Sequence, residues 1–233
     1  MMLSDSSMES ENLSPPLFLD SNVIVGHQLS PYHRLSNPSN TVFSGNNQLW
    51  WSENVRRECY GDNRYRGVCK TQHNKFVAEI RRITRIIEKD RLTPEFLSTC
   101  CYLGENIQHY IEKNGYQKSD LLNWLDKIAA SAHLDYNTTK EQIHQRLTLH
   151  TRETDYPAVT NRIKSLISES HIERDDSDIE IWLDAHDLAE TRNISDLIFV
   201  SDNSTHVTKA AHIICNCTKI AKIHELKDYC TQH

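Results

Sequence analysis

Leu17-Phe18-Leu19-Asp20-Ser21-Asn22-Val23-Ile24-Val25 is a short apolar run halted by an aspartate, then a serine, an asparagine and a second apolar run. A carboxylate placed where a buried strand ends sits at the rim of a sheet. Its side chain can face solvent and a cation while its backbone stays locked in the core. Leu17–Leu19 is therefore expected as a strand, and Asn22 to Gly26 as the start of a helix or an extended turn.

Outward from that point, residues 1–14 are polar and serine-rich and read as a disordered tail closed by Pro15-Pro16. Residues 30–49 read as loop, because Ser, Asn, Pro and Gly recur without apolar periodicity. Leu49-Trp50-Trp51 leads into a helix for which Ser52 is a plausible N-cap. From about 74 to 170 the pattern is helical, with no strand signal. Phe76, Ile80, Ile83 and Ile87 form one stripe, Thr93-Pro94-Glu95 starts a helix ending near Asn114-Gly115, Ser119 starts another, and two more lie near 138–150 and 158–169. Asp178 opens an amphipathic helix to about Thr191. Leu197-Ile198-Phe199-Val200 reads as a buried strand, Val207 to Cys217 as a helix, and Ile220 to Leu226 holds a last strand. Strand, helix, strand at this spacing argues for a parallel sheet. The expected fold is α/β, a three-layer α/β/α sandwich with a mainly parallel sheet, interrupted by an all-helical insertion. Its units are 1–14, 15–69, 70–171 (the insertion) and 172–233.

The chain has 233 residues, 25% charged and 38% hydrophobic, with a formal net charge of −6. No global basic field attracts nucleic acid, so any such contact needs local basic patches. No stretch approaches the ~20 apolar residues that span a bilayer, and the N-terminal stretch does not read as a signal peptide. The seven cysteines are then expected as mostly reduced thiols in a cytoplasmic protein.

Phe18-Leu19-Asp20-Ser21-Asn22-Val23 resembles the opening motif of the PIN-domain nucleases, the PilT N-terminus-like and VapC-type ribonucleases. That family's second acid follows a Val, two residues, Glu pattern, which Val55-Arg56-Arg57-Glu58 matches at Glu58. Its third acid opens a helix as Asp, two residues, Ile, ending in Ala, and Asp178 through Ala185 matches. Its fourth follows a strand ending in Val-Ser or Val-Thr. Here, in Val200-Ser201-Asp202-Asn203, strict spacing puts Asn203 in that place and a one-residue shift puts Asp202 there. The resemblance spans residues 17–66 and 172–233. It implies a metal-dependent endoribonuclease that hydrolyses phosphodiesters with metal-activated water. Asp20, Glu58, Asp178 and Asp202 or Asn203 would hold Mg or Mn. Ser21, Asn22 and Ser201 would orient the carboxylates, and His206 would touch substrate. The implied partners are RNA, a protein partner or antitoxin, and a second copy of the chain.

The physical logic runs parallel. Asp20 and Asp202/Asn203 both follow strands, and open parallel sheets bind ligands beyond the carboxyl ends of their strands. Glu58 and Asp178, read as lying at helix starts, can point into the same crevice. Clustered hard oxygen donors repel one another unless a divalent ion is bound, and they suit Mg²⁺ or Mn²⁺. Each acid also has a structural reading: Asp20 as a helix N-cap, Glu58 as a solvated partner of Arg57, Asp178 as a favourable helix-start charge, Asp202 in an Asx-turn. Asp184 reads as a surface residue and reserve ligand. Arg56, Arg57, Arg81 and Arg85 are candidate phosphate contacts. Trp50, Trp51, Tyr60 and Tyr65 are candidate stacking platforms for unpaired bases, with core burial as the alternative. Two other functions stay open: a weak or inactive PIN-like RNA-binding or scaffold protein, and a helical partner-binding module.

Overall fold

The computed structural model describes residues 14–61, 66–172, 176–204, 207 and 209–232. In chain order the elements are β1 (Leu17–Leu19), α1 (Ser21–Gln28), α2 (Ser36–Ser44), β2 (Leu49–Ser52), α3 (Glu53–Tyr60), α4 (Val68–Glu88), α5 (Pro94–Ser98), α6 (Gly104–Asn114), α7 (Lys118–Arg146), β3 (Thr148–His150), α8 (Pro157–Glu169), α9 (Asp176–Arg192), β4 (Ile198–Ser201), α10 (Lys209–Cys217), β5 (Lys222–Glu225) and α11 (Leu226–Gln232).

The described strands form one five-stranded sheet in the order β3-β2-β1-β4-β5, and every pairing is parallel. The central strand, β1, is wholly apolar and buried along its length. That suits a strand covered on both faces. Its register sets Phe18 beside Trp50 and Phe199, and Leu19 beside Val200. The chain winds from β1 out to β2 and β3, then returns to β4 and β5. Strand order therefore reverses between β1 and β4, which is the place where open α/β sheets bind ligands.

Among the helices α1 meets α2, α3, α4 and α7, α4 meets α3 and α7, and α8 joins α9 to α10. This arrangement is compatible with an α/β/α sandwich. Gly26 lets α1 approach α2 closely, since a Cβ there would lie 2.3 Å from Ser39 Oγ and 2.8 Å from Leu35 Cβ. Ser52 caps α3, its Oγ accepting from the Val55 N–H at 3.2 Å.

Four expectations are corrected. Residues 36–44 are helical rather than loop, because burial of Val42, Phe43 and Ser39 outweighs the turn preference of Asn37-Pro38-Ser39-Asn40. The segment after Thr93 is two helices, α5 and α6. The helix expected near 138–150 is the end of α7, which stops at Arg146. The block from 70 to 171 is not all-helical: Thr148–His150 pairs with β2 as an edge strand of the sheet. Three residues, two of them exposed, carry too little apolar pattern to announce a strand; pairing with Trp50, Trp51 and Ser52 defines it. Among the described residues no helix is long and apolar enough to cross a membrane, and all seven cysteines are free thiols.

Candidate functional site

Asp20 lies one residue past β1 and continues the ladder, its N–H donating to Val200 O at 3.0 Å. The same residue caps α1, with Oδ1 accepting from the Ser21 N–H at 2.7 Å. Oδ2 accepts from Ser201 Oγ at 2.6 Å and from Asn22 Nδ2 at 2.9 Å. Asn22 ties β1 to β4: its Nδ2 also lies 3.2 Å from Ser201 Oγ, and its Oδ1 accepts from the Asp202 N–H at 2.9 Å. Ser201 Oγ further accepts from the Asn203 N–H at 3.0 Å. Both strand ends at the reversal point are thus stitched together through Asp20.

Asp20 is only 6% exposed. Burial pushes its carboxyl above the ordinary value; the bonds from Ser201 and the Ser21 amide pull it back, the Asp178 charge pushes it up again, and Asn22 pulls it down. Asp178, three residues into α9 and half-buried, is therefore close enough to act on Asp20 through space. Glu58 is exposed near the end of α3, not at a helix start as expected; Glu53 occupies that start. The neighbouring Cys59 thiol, 3.8 Å from Ser21 O, is pushed up first by burial and then by Cys69, and the Glu58 and Asp20 charges add to this. The Asp178 charge acts on Asp20, and the Glu58 and Asp20 charges both act on Cys59. Among the described residues, however, no three His, Cys, Asp or Glu side chains gather closely enough to hold a metal ion.

Asp202 is committed elsewhere. Its side chain is 5% exposed and pairs with Arg34 at 3.0 Å, whose own side chain is 70% exposed. A carboxylate paired with a guanidinium is a weaker cation ligand than a free one. His206 and Tyr65 lie outside the described residues. Arg56 is engaged by Glu53 through its Nε at 2.8 Å and its Nη2 at 2.5 Å. Arg57, Arg81 and Arg85 are exposed. Trp50 and Trp51 are 6% and 2% exposed in β2 and offer no platform for bases. The Tyr60 hydroxyl donates to Gln28 Oε1 at 2.8 Å.

The residues that the motifs missed lie at the ends of β2 and β3. Asp184, expected on the surface, is 2% exposed. It accepts from Asn54 Nδ2 at 2.9 Å and lies 3.5 Å from Arg152 Nε. Burial raises its carboxyl, while Ser52, Asn54 and Arg152 lower it. One turn on, Asp187 joins His150 Nε2 at 2.9 Å and accepts from Tyr156 OH at 2.7 Å. The one advance signal was Asp184 and Asp187 inside an otherwise apolar helical run. No protein-family model, no curated protein and no solved structure matches this chain.

Proposed function

We propose that this chain is a divalent-metal-dependent phosphodiesterase acting on RNA, an endoribonuclease of the PIN-like kind. The observation that carries the reading is the buried Asp20 carboxylate at the point where strand order reverses, with the Asp178 charge acting on it. A buried carboxylate facing a second negative charge is raised in energy unless a cation lies beside it.

The donor set fits such an ion in a restricted way. Oδ2 of Asp20 already accepts two hydrogen bonds and Oδ1 one, so a lone-pair direction remains on Oδ1. Magnesium is commonly held by one or two carboxylates, its remaining positions filled by water and substrate phosphate. Asp20 and Asp178 would hold Mg²⁺ or Mn²⁺ in this manner, with Glu58 flanking and Asp202 outside the set. When bound, the ion supplies Lewis acidity at a phosphate and makes water a better nucleophile. The chain's own residues do the positioning. Ser201 and Asn22 hold the Asp20 carboxylate in one orientation, and the Ser21 N–H and the α1 N-terminus favour its ionised form against the effect of burial.

A second reading has its own support: Asn203 at the strict fourth position and Arg34 across Asp202 favour an RNA-binding or scaffold protein with a weak or inactive centre. One experiment separates them. Labelled single-stranded RNA is incubated with the wild-type chain, Asp20→Asn and Asp178→Asn, each in Mn²⁺ or EDTA. Cleavage by wild type in Mn²⁺ alone, falling at least about 100-fold in both variants, is the expected outcome. Equal cleavage by Asp20→Asn, or cleavage in EDTA, rejects the enzyme reading. Binding without cleavage favours the second.

A further inference from the structure

Two recesses, of about 440 and 590 Å³, share a wall made by His33, Arg34, Cys101 and Tyr102. Of their lining only Arg34 touches the centre described above, through Asp202. The larger is bordered by Lys75 and Arg82 from α4, both exposed. Arg82 is already held in place, donating to Thr99 Oγ1 at 2.9 Å with its guanidinium 4.8 Å from the Phe96 ring centre. The acid in that lining, Glu79, is turned to the backbone: it accepts from the N–H groups of Cys101, Tyr102 and Leu103 at 2.7, 2.9 and 2.9 Å. The recess therefore presents a cationic lining on a chain whose net charge is −6.

The recesses are also wired to the acidic centre. Arg34 contacts Asp202, the Asp202 N–H contacts Asn22, and Asn22 contacts Asp20. Arg34 is thus three hydrogen bonds from the Asp20 carboxylate. Guanidinium binds phosphate as well as carboxylate, so a phosphate on Arg34 would compete with Asp202 for it.

We infer that the larger recess seats an unpaired RNA strand on its way to Asp20, with phosphates on Arg34, Lys75 and Arg82. The choice of RNA rests on the function proposed above; the cationic lining and its link to Asp202 do not. Recesses of this volume lie within the range of small-ligand sites. They take nucleotides splayed out of an unpaired strand, whereas a duplex keeps its bases stacked inside.

Fluorescence anisotropy in EDTA, where cleavage is not expected, tests this with a labelled short oligouridylate. Single-stranded DNA, duplex RNA and inorganic phosphate serve as comparison ligands. The double variant Lys75→Glu/Arg82→Glu is expected to bind at least about tenfold more weakly, with a salt slope lower by about 1.4, as two lost phosphate contacts on a single strand require. Lys227→Glu, exposed on α11 and away from both recesses, should stay within about twofold of wild type, and thermal melts must show both variants folded. Unchanged binding by the double variant, an equal loss in Lys227→Glu, tighter binding of duplex RNA, or no binding of the oligouridylate overturns the inference. Cleft-dependent binding without any cleavage would overturn only the proposed activity; cleavage indifferent to Lys75 and Arg82 would overturn only the cleft.

Discussion

Asp20 is the residue whose backbone and side chain both join the two strand ends. Its amide extends the β1–β4 ladder, and its carboxylate accepts from Ser21, Asn22 and Ser201. Removing one donor to a buried carboxylate costs about 1–3 kcal/mol. Ser201→Ala should therefore lower the urea midpoint of unfolding and, if Asp20 holds a metal, weaken Mn²⁺ affinity about 10–100-fold, as read by calorimetric titration. Protonation provides a second check at this scale. His73 is buried against the Tyr136 ring, 4.6 Å between centres. Its value is lowered by burial first, then by the charges of Lys70 and His133. Below about pH 6.5 the unfolded chain takes up a proton that folded His73 resists. The unfolded state then binds more protons, and stability falls with acidification until the pH passes the folded value. His27, His33 and His186 are lowered too, with burial the first cause in each. Asp20 and Asp184, raised in the fold, act in the opposite sense at lower pH. His73→Phe should lose less stability than wild type between pH 7.5 and 5.5, measured as urea midpoints by tryptophan fluorescence. An equal loss in both chains would remove His73 from the account.

At the scale of elements, α9 departs most from its sequence reading. From Ile179 to Ala189 nearly every residue is buried, Asp184, His186 and Asp187 included. An amphipathic pattern supposes one wet face, whereas this helix meets both α3 and α8, so its polar residues must find partners inside. Asp184 takes Asn54 and Arg152; Asp187 takes His150 and Tyr156. Since His150 ends β3, Asp187 fastens the edge strand that sequence reading missed. Breaking a buried pair by deleting one member costs about 3–5 kcal/mol. Asp187→Ala should fall in that range in urea unfolding, with amide exchange fastest to rise in β3. A loss below about 1 kcal/mol would mean that the pair is well solvated and β3 is held by its ladder alone.

At the scale of the whole molecule, the helical block and the sheet are interdependent. Strand β3 comes from within the block, and α7 packs on α1 as well as on α4. Residues 70–171 expressed alone should therefore melt without a cooperative transition in circular dichroism, because the faces of α4 and α7 that rest on the sheet domain would be exposed. Mn²⁺ should raise the melting temperature of the full chain, by the equivalent of about 2.7 kcal/mol at a hundredfold excess over Kd, and leave Asp20→Asn unmoved. Short-range chemistry was legible in the sequence: a strand halted at Asp20, Ser52 as a cap, the Phe76–Ile87 stripe, a buried strand ending at Ser201. Each depends on residues a few positions apart, and so does the parallel α/β character, which follows from strand, helix and strand in alternation. The order β3-β2-β1-β4-β5, the capture of Asp202 by Arg34, the burial of Asp184 and Asp187 and the helix at 36–44 were decided by tertiary structure alone. They depend on partners outside any local window of sequence, and a carboxylate carries no local mark of whether a cation, a guanidinium or water will face it once the chain has closed.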